Sequence, residues 1–138
     1  MPAKDLYHEQ VKNALIKDGW TITHDPFRIA VGFRDVYIDL GAEQPLAAEK
    51  DGVKIAVEIK TFRGASDVRN LENALGQYIL YHAHLARFEP ARKLYLAVPH
   101  EVYETILAEP IARAPLEDLQ LPLLTVDVRQ EVIIKWIN

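Results

Sequence analysis

The chain has no cysteine and a single methionine. Without thiols there is no disulfide framework, no thiolate metal site and no cysteine nucleophile. It has no run of about 18 apolar residues, which argues against a membrane-spanning helix. The opening stretch MPAKDLYHEQ lacks the apolar core of a secretory signal, so the expected location is the cytoplasm. An excess of basic charge is missing too. The formal net charge is −4, the opposite of what a general nucleic-acid coat protein carries. A local basic patch stays open, with Lys60, Arg63 and Arg69 close in sequence and Lys50 and Lys54 just before them. GxSxG, phosphate-loop and dinucleotide fingerprints are all absent, and His82 and His84 diverge on a helix instead of forming a zinc pair. No repeat, low-complexity tract or linker interrupts the chain.

What is there is globular. Length 138, hydrophobic content 49% and charged content 26% fit one domain, residues 1–138, with its own core. An amphipathic helix is expected over Ala3 to Asp18, stopped by Gly19, with His8 on its surface. Short strands follow at Trp20 to His24 and Phe27 to Phe33. Ser66 is a good N-cap for a long helix from Asp67 to about Arg87. KLYLAV, from Lys93 to Val98, reads as a buried central strand. A helix from His100 to Ala108 comes next, then a short helical piece between Ile111 and Leu119 broken at Pro115. Strands over Leu123 to Val128 and Glu131 to Ile137 close the chain. The order gives an α/β (α+β) layered domain, a central mixed sheet with helices packed against it.

The chemistry concentrates between Val36 and Lys60. Three strands are expected there: Val36 to Leu40, a short edge segment Leu46 to Lys50 after Pro45, and Val53 to Lys60, entered through the hairpin signal Asp51-Gly52. Alternation puts Val53, Ile55, Val57 and Ile59 on one face and Lys54, Ala56, Glu58 and Lys60 on the other. Glu58 and Lys60 then project side by side, roughly 6–7 Å apart along the strand. If the Asp39 strand pairs beside this one, Asp39 joins them. Two carboxylates can hold a hard divalent cation, the cation can activate water against a phosphodiester, and the lysine can orient that water or steady phosphate charge. The solvated face of a half-buried strand would show the same Lys-Ala-Glu-Lys alternation.

Asp39 and, 19 residues later, Glu58-Ile59-Lys60 resemble the D…(D/E)xK signature of restriction-endonuclease-like PD-(D/E)xK nucleases. Gln77-Tyr78-Ile79-Leu80-Tyr81 resembles the QxxxY helix motif of RecB-type members. The longer text YIDLGAE…LAAEKDGVKIAVEIKTF…LENALGQY, continuing to the closing EVIIKWIN, resembles the XisH-like fdxN element excision controlling factors of cyanobacteria. That resemblance implies a restriction-endonuclease-like fold and a Mg²⁺ (or Mn²⁺) site. Asp39, Glu58 and the Ile59 carbonyl would ligate the metal. Lys60 would position water, Gln77 and Tyr81 would support the site, and Glu9 would be an accessory acid from the first helix. It also implies action on DNA in fdxN element excision during heterocyst development, beside a site-specific recombinase and a small companion protein, with a homodimer expected by analogy. A recombinase does its own strand chemistry, so a second reading stays open: a non-catalytic accessory factor that keeps the nuclease scaffold and binds DNA, the recombinase or the companion.

Overall fold

A computed structural model describes residues 6–31, 36–37, 45–64 and 66–138. Its elements, in order, are α1 (His8–Lys17), β1 (Thr21–His24), β2 (Ala30–Val31), β3 (Val36–Tyr37), β4 (Leu46–Lys50), β5 (Val53–Ile59), α2 (Asp67–Phe88), β6 (Arg92–Pro99), α3 (His100–Glu104), a 3₁₀ turn (Ile106–Ala108), α4 (Pro110–Asp118), β7 (Leu123–Asp127) and β8 (Val132–Ile137). Six strands form one mixed sheet in the order β1-β4-β5-β6-β7-β8. β5, β6 and β7 run parallel at its centre, and the β1–β4, β4–β5 and β7–β8 pairs are antiparallel. This is the layered α/β architecture expected from the element order.

Local signals act where they stand in the chain. Asp51 and Gly52 both take positive φ, 51° and 80°, as a two-residue hairpin twisting with its strands requires. Gly19, at φ 95°, ends α1, and the Trp20 amide returns to the Leu15 carbonyl. The Ser66 hydroxyl accepts from the Arg69 amide at 3.1 Å and starts α2.

The sheet is covered on both faces. Ala47, Ala56, Leu94 and Leu96 pack with Leu71, Ala74, Tyr78, Tyr81 and Leu85 of α2. Leu46, Ala48, Ile55, Val57 and Tyr95 pack with Val11, Ala14 and Leu15 of α1. β5 is therefore buried on both sides from Ile55 to Ile59. The face carrying Glu58 is not the wet face of a half-buried strand. A parallel strand under two helical layers has no wet face.

Four expectations change. Leu46–Lys50 is interior, between β1 and β5; Pro45 ends just before it and so removes no ladder donor from it. Pro115 lies inside α4 without breaking it, because the only intrahelical bond it deletes is one to the carbonyl of Ile111, an exposed residue. His8 is 7% exposed, drawn in by an acid at the end of β1. Of the strand expected over Val36 to Leu40, the described part, Val36–Tyr37, pairs with β2 in a separate two-stranded ribbon, and Ile38 to Leu40 lie outside the described residues. Both neighbours of β5 are already taken by β4 and β6. Asp39 itself lies outside the described residues.

Candidate functional site

Glu58 is the penultimate residue of β5 and is paired with Leu96 of β6. Its parity with Ala56 turns it toward the α2 layer, where the carboxylate is 1% exposed. Burying a carboxylate is expensive unless charge or donors compensate it. Lys60 supplies part of that compensation, with its Nζ 3.5 Å from Glu58 Oε1 and its side chain 16% exposed. The Lys60 amide donates to the Ala97 carbonyl at 2.9 Å, so the backbone stays in register with β6 one residue past the strand. Alternation thus places this acid and amine together, as the sequence suggests. Ile59 between them points into the α1 layer, leaving its carbonyl as the only part of it that could serve a cation.

Tyr81 is 1% exposed and packs in the same layer as Ala56 and Leu96. Gln77, one turn earlier, is half-buried. Helical spacing therefore sets both on the α2 face that covers the Glu58 side of the sheet. Tyr78, beside them, has its hydroxyl pushed up to about 12 by burial.

Glu9 sits elsewhere in the described structure. It is exposed in the first turn of α1, and its carboxylate gathers with His8 and Asp25, the ligand atoms of the three lying within 4.8 Å of one another. Asp25 Oδ1 accepts from His8 Nε2 at 2.8 Å and Oδ2 from Lys12 Nζ at 2.9 Å. Burial pushes the Asp25 carboxyl up, but the Lys12 and His8 hydrogen bonds outweigh it and hold the group below its ordinary value. The bond to Asp25 raises Lys12 in turn. An ammonium on Asp25 makes this set an ion-pair clasp between α1 and the end of β1.

A cleft of about 600 Å³ opens at the carboxyl ends of the three parallel strands, where open α/β sheets place their ligands. Thr61 and Arg63 follow β5 there, His100 follows β6, Asp127 ends β7 and Arg129 follows it, with Tyr7 closing one side. The His100 ring is fixed by Thr125 Oγ1 at 3.0 Å and Glu104 at 3.3 Å. Sequence reading named Arg63 but missed the others, which lie far apart in the chain. The signal that could have found them is positional: each stands at the start or end of an element, where a parallel strand meets its connection.

Three comparisons bear on kinship. No curated protein matches the chain. Two solved structures do, each 44% identical with a TM-score of 0.88. One is a fdxN element excision controlling factor protein from Anabaena variabilis, covering 98% of this chain and 100% of its own. The other is an XisH family protein from Nostoc punctiforme PCC 73102, covering 97% of this chain and 100% of its own. The family model for XisH protein matches residues 1–134, nearly the full length, and the chain belongs to the XisH family.

Proposed function

We propose that this chain is a divalent-metal-dependent DNA endonuclease of the restriction-endonuclease-like type, acting in fdxN element excision. The observation that carries the reading is the buried Glu58 carboxylate beside the Lys60 ammonium, 3.5 Å away, at the carboxyl end of a central parallel strand. The donors suit Mg²⁺ or Mn²⁺: a carboxylate and the Ile59 carbonyl are hard oxygen ligands, and Asp39 would add a second carboxylate. A bound cation would polarise the phosphodiester and make water a nucleophile at neutral pH. A carboxylate at this buried position lies where water is excluded, so its pull on a cation would be weakly screened. Lys60 keeps one ammonium at the same place, to orient the attacking water or steady the phosphate oxygens as charge builds on them. Gln77 and Tyr81, on the covering helix, would brace the acid from above. Glu9 would act as an accessory acid only if it left the Asp25 clasp.

The test is a cleavage panel of linear, nicked, branched and single-stranded DNA with Mn²⁺, comparing the parent with Lys60→Ala. Cutting by the parent that is lost in the variant supports the reading. Failure of the parent on every DNA form, with no Mn²⁺ thermal shift sensitive to Glu58→Gln, sinks it. The net charge of −4 and the description of the Anabaena relative as a controlling factor favour the second reading, an accessory factor that binds DNA, a recombinase or a small companion protein without cutting. In that case DNA or partner binding persists in Lys60→Ala at the parent level.

A further inference from the structure

We propose that the cleft at the carboxyl ends of β5, β6 and β7 takes a single-stranded stretch of nucleic acid, with its phosphates between Arg63 and Arg129 and a base against Tyr7. The inference stands beside the hydrolytic reading above: Tyr7, Val126 and Val128 line the cleft on the α1 side of the sheet, and Glu58 and Lys60, which project toward α2, are not among its lining residues. Arg63 lies three residues beyond Lys60 on the segment leaving β5, and Arg129 stands on the turn after β7, so the two guanidiniums share one cleft from different walls. Both residues are exposed, and neither guanidinium has a hydrogen bond or ion pair among the described residues. Two other arginines are engaged: Arg92 is closed onto Glu89 and two carbonyls, and Arg87 donates to the Ala83 carbonyl.

The cleft is not uniformly charged. Val102, Val126 and Val128 line it beside Tyr7, and an apolar surface with an aromatic ring flanked by free guanidiniums is the chemistry that holds unstacked bases and their backbone. A volume of about 600 Å³ is that of a small-ligand pocket, suited to a few nucleotides entering singly and not to a duplex.

Three carboxylates share the rim, and two are engaged. Asp127 Oδ1 accepts from the Arg129 and Gln130 amides at 3.0 and 3.1 Å, and Glu104 lies against His100. Hydrogen bonding does not remove their charge, so all three oppose the strand and Glu101 is the one without a side-chain partner among the described residues, which makes binding weak and dependent on salt.

The experiment is fluorescence anisotropy with a short oligothymidylate and with a duplex, across a salt series, in Ca²⁺ to hold cleavage off. The parent binds the oligothymidylate more tightly than the duplex. Arg63→Ala and Arg129→Ala each weaken binding and reduce the slope of log K against log salt by about 0.7. Tyr7→Leu weakens it about tenfold while Tyr7→Phe restores it. Glu101→Gln, on an exposed helix position that should not affect folding, tightens binding about twofold. A slope unchanged in the Arg63→Ala/Arg129→Ala double variant, or a duplex bound as tightly as the single strand, overturns the cleft assignment and leaves the hydrolytic reading standing. Arginine-dependent binding in a parent that never cuts overturns the hydrolytic reading alone. A parent that binds no oligothymidylate overturns the inference outright.

Discussion

The two ends of the central strand pair treat buried charge in opposite ways. At the amino ends of β5 and β6, Arg92 is 5% exposed and fully committed. It forks onto Glu89 at 2.8 and 3.2 Å, donates to the Ile55 carbonyl at 2.9 Å, and lies 5.1 Å from the centre of the Phe27 ring. At the carboxyl ends, about 13 Å along the strands, Glu58 is equally buried, but its lysine stands at 3.5 Å and the chain beyond it lines a cleft. The first arrangement spends its charge on the backbone and locks a strand entry. The second holds an acid and an amine 3.5 Å apart at the strand's exit, in the positions the proposed chemistry would use.

The largest effect expected is at the locked end. Arg92→Ala strips Glu89 of its fork and two carbonyls of their donor, so stability should fall by about 3–5 kcal/mol in urea denaturation. A loss under about 1 kcal/mol, the range of an exposed ion pair, would remove the contrast. At the open end the order of effects should reverse. Lys60→Ala should cut DNA cleavage by about 10²–10³-fold, and Glu58→Gln should abolish any Mn²⁺ thermal shift. Glu58→Gln should keep or gain stability, since groups held for chemistry are seldom placed for stability, whereas Lys60→Ala, which takes a cation from beside a buried acid, should lose some. A Glu58→Gln loss matching that of Arg92→Ala would make Glu58 a structural ion.

Much of this contrast is written locally, and some of it is not. Period-two alternation in VKIAVEIK is enough to pair Glu58 with Lys60, and Asp51-Gly52 and Ser66 mark where β5 and α2 begin. Those signals work because they are backbone preferences acting over a few residues. What covers a strand is not a local property. Nothing between residues 53 and 60 says that α2 will bury the Glu58 face, that β4 will be interior, or that His8 will be drawn under Asp25 from 17 residues away. The cleft was hidden for the same reason: Tyr7, Arg63, His100 and Arg129 meet only once three strands run parallel.

Acid titration separates the clasps from the open site at a smaller scale. Asp25 and Glu89 are both held below their ordinary values of 3.8 and 4.5. For Asp25, burial acts upward and the Lys12 and His8 bonds act downward more strongly. For Glu89 the Arg92 bond leads. A carboxyl lowered in the folded state contributes stability above its unfolded value, and that contribution is lost as pH falls through the folded value. Stability should therefore drop below about pH 4.5, and Asp25→Asn should flatten that acid limb while costing about 1–2 kcal/mol at pH 7. An acid limb as steep in Asp25→Asn/Glu89→Gln as in the parent would move the titrating group away from both clasps.

The smallest effect serves as a calibration away from both ends. Gly76 lies mid-helix in α2 on its outward face, and a Cβ built there meets nothing within 4 Å. Glycine inside an exposed helix forfeits about 0.5–1 kcal/mol relative to alanine, chiefly through the freedom of the unfolded chain. Gly76→Ala should raise stability by that amount without altering cleavage or the Arg92 effect, because neither charge cluster touches this face. The neighbouring Ile79 and Leu80 are 50% and 38% exposed, so a second copy of the chain could pack here. A loss in Gly76→Ala that deepens with protein concentration would show that this face is covered in solution by another copy, and the expected homodimer would then be built on α2.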